Sequence, residues 1–273
     1  MLLVPLLLLF PFFCWAAEIN PSVRLDERSQ WGFAESLFKQ GEYYRAVSEY
    51  RRLVHYFPKG KLENRARLRI GESLVLGGEP AEAIDFLGGL LAEEPSPQMA
   101  DSFRFLRGVA WLEQGARRPY PLRTKNIASA LQDFRLVSPG SNYSRGIPGF
   151  LSAMEQPPEL PGKSPWMAGL MSAVVPGAGS FYTGRFSEGA LALFMNGLLI
   201  AGTVESVRQE RPGLSLVLGT LAVAFYGGSI YSAANGAHKY NDRQKASYLT
   251  AQRQKFGIMI ERDGLAAAFQ EKF

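Results

Sequence analysis

Hydrophobic and polar positions divide the chain into three regimes. Between residues 27 and 143 apolar residues recur at helical spacing. Ala34, Leu37 and Phe38 share one face, and Ala46, Val47, Tyr50, Leu53 and Val54 share the next. From residue 138 to 164 this periodicity stops, and Pro139-Gly140, Pro148-Gly149, Pro157-Pro158 and Pro161-Gly162 punctuate the sequence. Beyond them the chain turns almost wholly apolar. Met167 to Val204 carries only Arg185 and Glu188 as charges, Gly213 to Ala237 carries none, and the polar turn Glu205–Pro212 separates the two runs. Such a pair predicts helices that cross a bilayer and return. The expected fold class is all-α: helical hairpins followed by a helical membrane unit of two to three transmembrane segments.

The first regime repeats. Gly41, Tyr43, Ala46, Tyr50, Leu53 and Pro58 recur in identical register as Gly78, Pro80, Ala83, Leu87, Leu90 and Pro95. The period, from Ala46 to Ala83, is 37 residues. A degenerate third copy holds Ala130, Phe134, Val137 and Pro139, preceded by a helix with Phe103, Leu106, Gly108, Val109 and Leu112. Gly41 and Gly78 end the first helix of each pair, and Pro58, Pro95 and Pro139 end the second. Small Ala46 and Ala83 stand where two helices must approach closely. Stacked pairs bury a face that no single pair could bury alone.

These residues resemble the tetratricopeptide repeat family over about 115 residues. The third copy departs from the pattern, because Gly115–Asn126 lengthens its inter-helix turn. The resemblance implies a concave groove that binds a protein partner. Arg45, Arg52, Arg65 and Arg69 are the candidate partner-binding residues, with Arg51 and Arg67 beside them as a basic surface for acidic partners. The alternative reading of these arginines is an ordinary solvated helix face.

Three stretches make up the membrane unit. Met167–Thr183 is short and broken by Pro176, Gly177 and Gly179, Gly189–Val204 is about long enough to span, and Gly213–Ala237 is comfortably long enough. Small residues crowd them, which lets membrane helices pack closely and leaves self-association into a homo-oligomer among the expectations. Asn196 is a candidate for an interhelical hydrogen bond. Pro176, Gly177, Gly179, Tyr182 and Gly184 form a Gly-rich break followed by an aromatic-Tyr-x-Gly turn. That motif resembles small bacterial membrane domains of the two-helix type, and it implies a fold without implying an activity. Placing the basic tail (Lys239, Arg243, Lys245) on the cytoplasmic side favours three crossings.

Residues 1–16 read as a signal peptide, with an apolar core from Leu2 to Phe13 and small residues after it. Cys14 is the only cysteine. Removal of the leader would therefore leave no disulfide or thiolate chemistry. The expected domains are this leader, repeats over 27–143, a Pro/Gly linker over 144–165, a membrane domain over 166–240 and a basic tail over 241–273. A short strand and turn is expected near Phe256–Gly264.

The net charge of +5 lies largely toward the tail, and no basic run interleaves with aromatics, which excludes nucleic-acid binding. His55 and His238 are the only histidines and stand far apart, so no metal site is expected. No nucleophile-elbow serine appears, and Pro176–Gly184 lacks the Lys-Ser/Thr of a phosphate loop. The expectation is a non-enzymatic scaffold of the bacterial inner membrane with its repeats in the periplasm, using no cofactor and contacting a protein partner and membrane lipid. An oligomeric channel or transport accessory is the alternative.

Overall fold

The computed structural model describes residues 26–117 and 122–260. The leader assignment and the end of the tail lie outside those residues. The described residues form eleven helices and no strand. In order they are α1 (Glu27–Lys39), α2 (Tyr43–Tyr56), α3 (Glu63–Leu76), α4 (Pro80–Ala92), α5 (Pro97–Ala116), α6 (Leu122–Arg135), α7 (Ile147–Glu155), α8 (Pro165–Val174), α9 (Ala178–Tyr182), α10 (Phe186–Arg208) and α11 (Pro212–Phe256).

The hairpins form for local reasons. Asp26 caps α1 by accepting from the Ser29 backbone N–H at 2.9 Å. At the end of α1, Gly41 takes φ +79°, and the next N–H reaches back from Glu42 to the Leu37 carbonyl. At the end of α3, Gly78 takes φ +91°, and Glu79 reaches back to Leu74. One glycine-dependent helix stop is thus used twice, one period apart. Pro80 and Pro97 open α4 and α5, where a missing N–H costs nothing.

Ala46 and Ala83 are fully buried, as their spacing requires. The third hairpin is present despite its degenerate sequence: Phe134 of α6 lies directly over Gly108 of α5, and Phe103, Leu106, Leu112 and Ala130 are buried around them.

The segment 144–165, expected as an extended linker, instead contains α7. Pro148 sits in the first turn of α7, where a helix tolerates it, and Phe150 is fully buried against Phe134 with their ring centroids 5.8 Å apart. The tail boundary at 240/241 also disappears, because α11 runs unbroken for 45 residues. At 1.5 Å per residue that is about 67 Å, roughly twice a bilayer's hydrocarbon core. Its first half is apolar. Its second half returns to the repeats, where Leu249, Phe256 and, just past the helix, Ile258 join the same hydrophobic core as Ala34 and Phe38. In place of the short strand expected near Phe256, Gly257 ends α11 at φ +67°.

Two described helices, α10 and α11, are long and apolar enough to cross a membrane. The favoured first crossing is not one of them. It divides at Pro176–Gly177 into α8, of ten residues, and α9, of five. α8 runs antiparallel to α11. At one end Lys163 exchanges two backbone hydrogen bonds with the Asn241 side chain, at 2.7 and 2.9 Å. At the other end the Tyr226 hydroxyl donates to the Ala173 carbonyl at 2.9 Å. The chain then turns and comes back through α9 to the starting level, where Lys163 Nζ donates to the Tyr182 carbonyl.

Candidate functional site

The inner face of the array is built by the first helix of each hairpin. α3 brings Arg65 and Arg69 against α1, one helical turn apart. The Arg65 guanidinium lies 4.9 Å from the Trp31 ring centroid. Arg69 lies 4.4 Å from that of Phe38 and pairs with Glu35 and Glu72, each at 2.8 Å. Its side chain is only 13% exposed, so the pairing is structural as well as electrostatic. Tyr50 completes the cluster by donating to Glu35 at 2.6 Å. Burial and that hydrogen bond to an anion both push the Tyr50 phenol well above its ordinary value.

Arg45 and Arg52 do not join this group. They stand exposed along α2, Arg45 at 4.0 Å from Glu42 and Arg52 at 3.1 Å from Glu49. Arg51 bridges outward to Glu82 at 2.7 Å. The four candidate arginines therefore divide into an inner pair on α3 and an outer pair on α2.

The sequence reading missed the carboxylates. Glu35 and Glu72 are one 37-residue period apart, so the repeat register itself stacks two acids on neighbouring helices and calls for a cation between them. Arg69 supplies it.

Farther along, the face carried by α3 and α5 is covered by the chain itself. Tyr143 stacks on Phe105 at 5.4 Å. Arg253 of α11 donates to Glu113 of α5 at 2.5 Å. The covering segment leaves a cleft of about 390 Å³ between Val75, Leu76 and Val109 on the array and Thr250, Met259 and Ile260 on the tail. What stays open on the inner face is the α1/α3 end, with half-buried Trp31 and exposed Arg65.

The Gly-rich motif over Pro176–Gly184 is a packing device. Gly177 has φ +90°, and a Cβ there would lie 2.2 Å from the Gly189 carbonyl oxygen. A Cβ on Gly179 would lie 1.8 Å from the Ala168 carbonyl oxygen. Pro176 sits in the turn just before them, and Gly184 takes φ +80° at the exit. The Tyr182 hydroxyl accepts from the Ser164 backbone N–H at 3.2 Å. The motif thus folds α8 and α9 onto α11, where Ala168, Ala233 and Ala237 are fully buried. Arg185 then fastens α10 to α11 by donating to the Ser232 carbonyl at 2.8 Å while pairing with Glu188. Asn196, a candidate for an interhelical bond, donates back to Ala192 in its own helix at 2.8 Å.

Outward, this unit exposes apolar side chains along its length. They include Trp166, Leu170 and Val174 on α8, Phe186, Leu191, Phe194 and Leu198 on α10, and Leu216, Val223 and Tyr231 on α11. An apolar surface of this extent is what a lipid-facing or partner-facing unit presents.

The family model of the tetratricopeptide repeat matches residues 28–60 and 65–96, the stretches that form α1–α2 and α3–α4. No curated protein and no solved structure matches the chain. The chain therefore joins helical hairpins, two of which match the tetratricopeptide repeat, to two apolar helices of membrane-spanning length.

Proposed function

We propose that the protein is a membrane-anchored scaffold of the bacterial cell envelope. It holds a protein partner at the inner membrane through the α1/α3 end of its inner face. α10 and α11 form the anchor and cross twice, while α8 and α9 dip in and return from the repeat side. The observation that carries this reading is the contact between residues on either side of the apolar unit. Lys163 meets Asn241, and Glu113 meets Arg253. Groups in contact lie on one face of a bilayer, so the crossings between them number an even count. Two helices of sufficient length supply two crossings.

The leader-like start directs the array to the periplasmic side, the tail goes with it, and Glu205–Pro212 lies in the cytoplasm. Trp31 with Arg65 above it offers the partner an aromatic ledge beside a cation.

Cysteine labelling tests the anchor cleanly, since Cys14 is the only native thiol. In a Cys14→Ser background, Ser247→Cys reacts with an impermeant maleimide in spheroplasts, and Gln209→Cys reacts only after permeabilisation. Both positions reacting from the same side defeats the two-crossing anchor. A reversed pattern keeps the two crossings and overturns the orientation.

A further inference from the structure

Charge is distributed unequally between the two ends of the apolar hairpin. The turn end holds Arg208 and Arg211 against Glu205 and Glu210. The repeat end holds Lys163, Arg185, Lys239, Arg243 and Lys245 against Glu188 and Asp242. Several of these cations are already engaged. Arg185 is held by Glu188 and the Ser232 carbonyl. Lys163 is held by the Tyr182 carbonyl and the rings of Tyr182 and Tyr240. Lys245 also has a partner. Lys239 and Arg243 are exposed, and no described residue pairs with either.

Their position along α11 gives this pair its meaning. An α-helix repeats its direction every eighteen residues, or five turns. Lys239 therefore stands on the line of Leu221, and Arg243 on the line of Phe225. Leu221 and Phe225 are 42% and 47% exposed on the apolar surface. The height fits as well. A hydrocarbon layer of about 30 Å that begins at Leu214 ends near Ala234. Lys239 then lies about 7 Å farther on, within the headgroup layer, and Arg243 one turn above it can reach back. Trp166, 76% exposed in the first turn of α8, stands at the same end of the hairpin, as interfacial aromatics do.

We propose that Lys239 and Arg243 form a binding site for the phosphate of an anionic phospholipid headgroup, on the leaflet that faces the repeat array. The proposal rests on the membrane reading above. It adds a lipid class and a site, and it holds for either orientation of the hairpin. The two cations sit one turn apart, a spacing that lets both reach one phosphodiester. At the turn end Glu205 and Glu210 stand beside Arg208 and Arg211 and cancel their charge.

The test uses the full chain in vesicles of mixed phosphatidylglycerol and phosphatidylcholine, followed by detergent extraction and analysis of the retained lipid. The expected result is that the chain retains phosphatidylglycerol about threefold over its share of the vesicle. Lys239→Gln with Arg243→Gln brings retention to the bulk ratio, and Arg208→Gln with Arg211→Gln leaves it unchanged. Inorganic phosphate does not displace the lipid. Bulk-ratio retention by the unmodified chain overturns the site, as does equal loss in the turn variant or displacement by phosphate alone. Flotation with pure phosphatidylcholine vesicles after an alkaline wash separates the two ideas. A chain that fails to float overturns both, whereas one that floats without enrichment overturns the lipid site alone.

Discussion

Arg253 and Glu113 are 140 residues apart and form an ion pair at 2.5 Å. One belongs to the last turn of the helix that leaves the apolar unit, the other to the third hairpin of the array. The pair and the apolar residues beside it join two parts of the chain whose compositions suggest separate domains.

Phe256 docks on glycine, and the docking predicts its own disruption. A Cβ on Gly146 would lie 1.9 Å from the Phe256 carbonyl oxygen, and one on Gly149 would lie 2.3 Å from its ring. Gly149→Ala is expected to destabilise the docked end of α11 by about 1–3 kcal/mol, the usual cost of overpacking. Limited proteolysis should then cut faster between Tyr248 and Ile260. Gly140→Ala, which meets nothing within 4 Å, should leave the cleavage rate unchanged.

Two helical glycines in the array should respond with opposite signs. A Cβ on Gly108 would meet the Phe134 ring at 2.4 Å, so Gly108→Ala lowers the thermal midpoint, by about 1–3 kcal/mol in stability. Gly89 in α4 is exposed with nothing within 4 Å, so Gly89→Ala raises stability by about 0.5–1 kcal/mol through helix propensity alone. Circular dichroism melts of the full chain in detergent would measure both.

Tyr50 gives the array an alkaline sensitivity. Its phenol titrates above the ordinary value of 10.0 because it is buried and donates to Glu35. A pKa raised on folding means that the stabilisation is complete below the unfolded value and is lost as pH climbs past it. The melting midpoint should therefore hold steady up to about pH 10 and fall progressively above it. Tyr143 shifts the same way through burial, so Tyr50→Phe should reduce that fall without abolishing it. At neutral pH the same substitution costs about 1 kcal/mol, one net hydrogen bond.

The Gly-rich turn between α8 and α9 depends on backbone contact. Gly179→Ala should push α9 away from the Ala168 carbonyl and lower the detergent melting midpoint. Gly197→Ala, in open space on α10, should not. Equal midpoints for the two variants would remove the turn's packing role.

Local chemistry made the repeats legible. Gly41, Gly78, Ala46 and Ala83 each have a conformational or steric need that the residue type announces, and the structure meets all four needs. The two long apolar helices were legible for the same reason. The docking of the linker and tail was not. Pro148 and Gly149 signal a break when read locally, yet one fits a helix's first turn and the other makes room for Phe256. Nothing near Ile258 in sequence says that it belongs to a core built more than a hundred residues earlier. The same limit hid the partners of Arg69, although the period that aligned the alanines had already aligned Glu35 with Glu72.

The burial of Ile258 also orders events in time. A chain made from its N-terminus has α1 to α6 in hand early. Tyr143 and Phe150 cover their part of the array as soon as α7 is made, but the surface that receives Ile258 stays uncovered until α11 has been made and has turned back. The third hairpin, the one with the most degenerate sequence, thus waits for α11 to close it. A nascent chain that stalls after α10 would leave that apolar surface exposed.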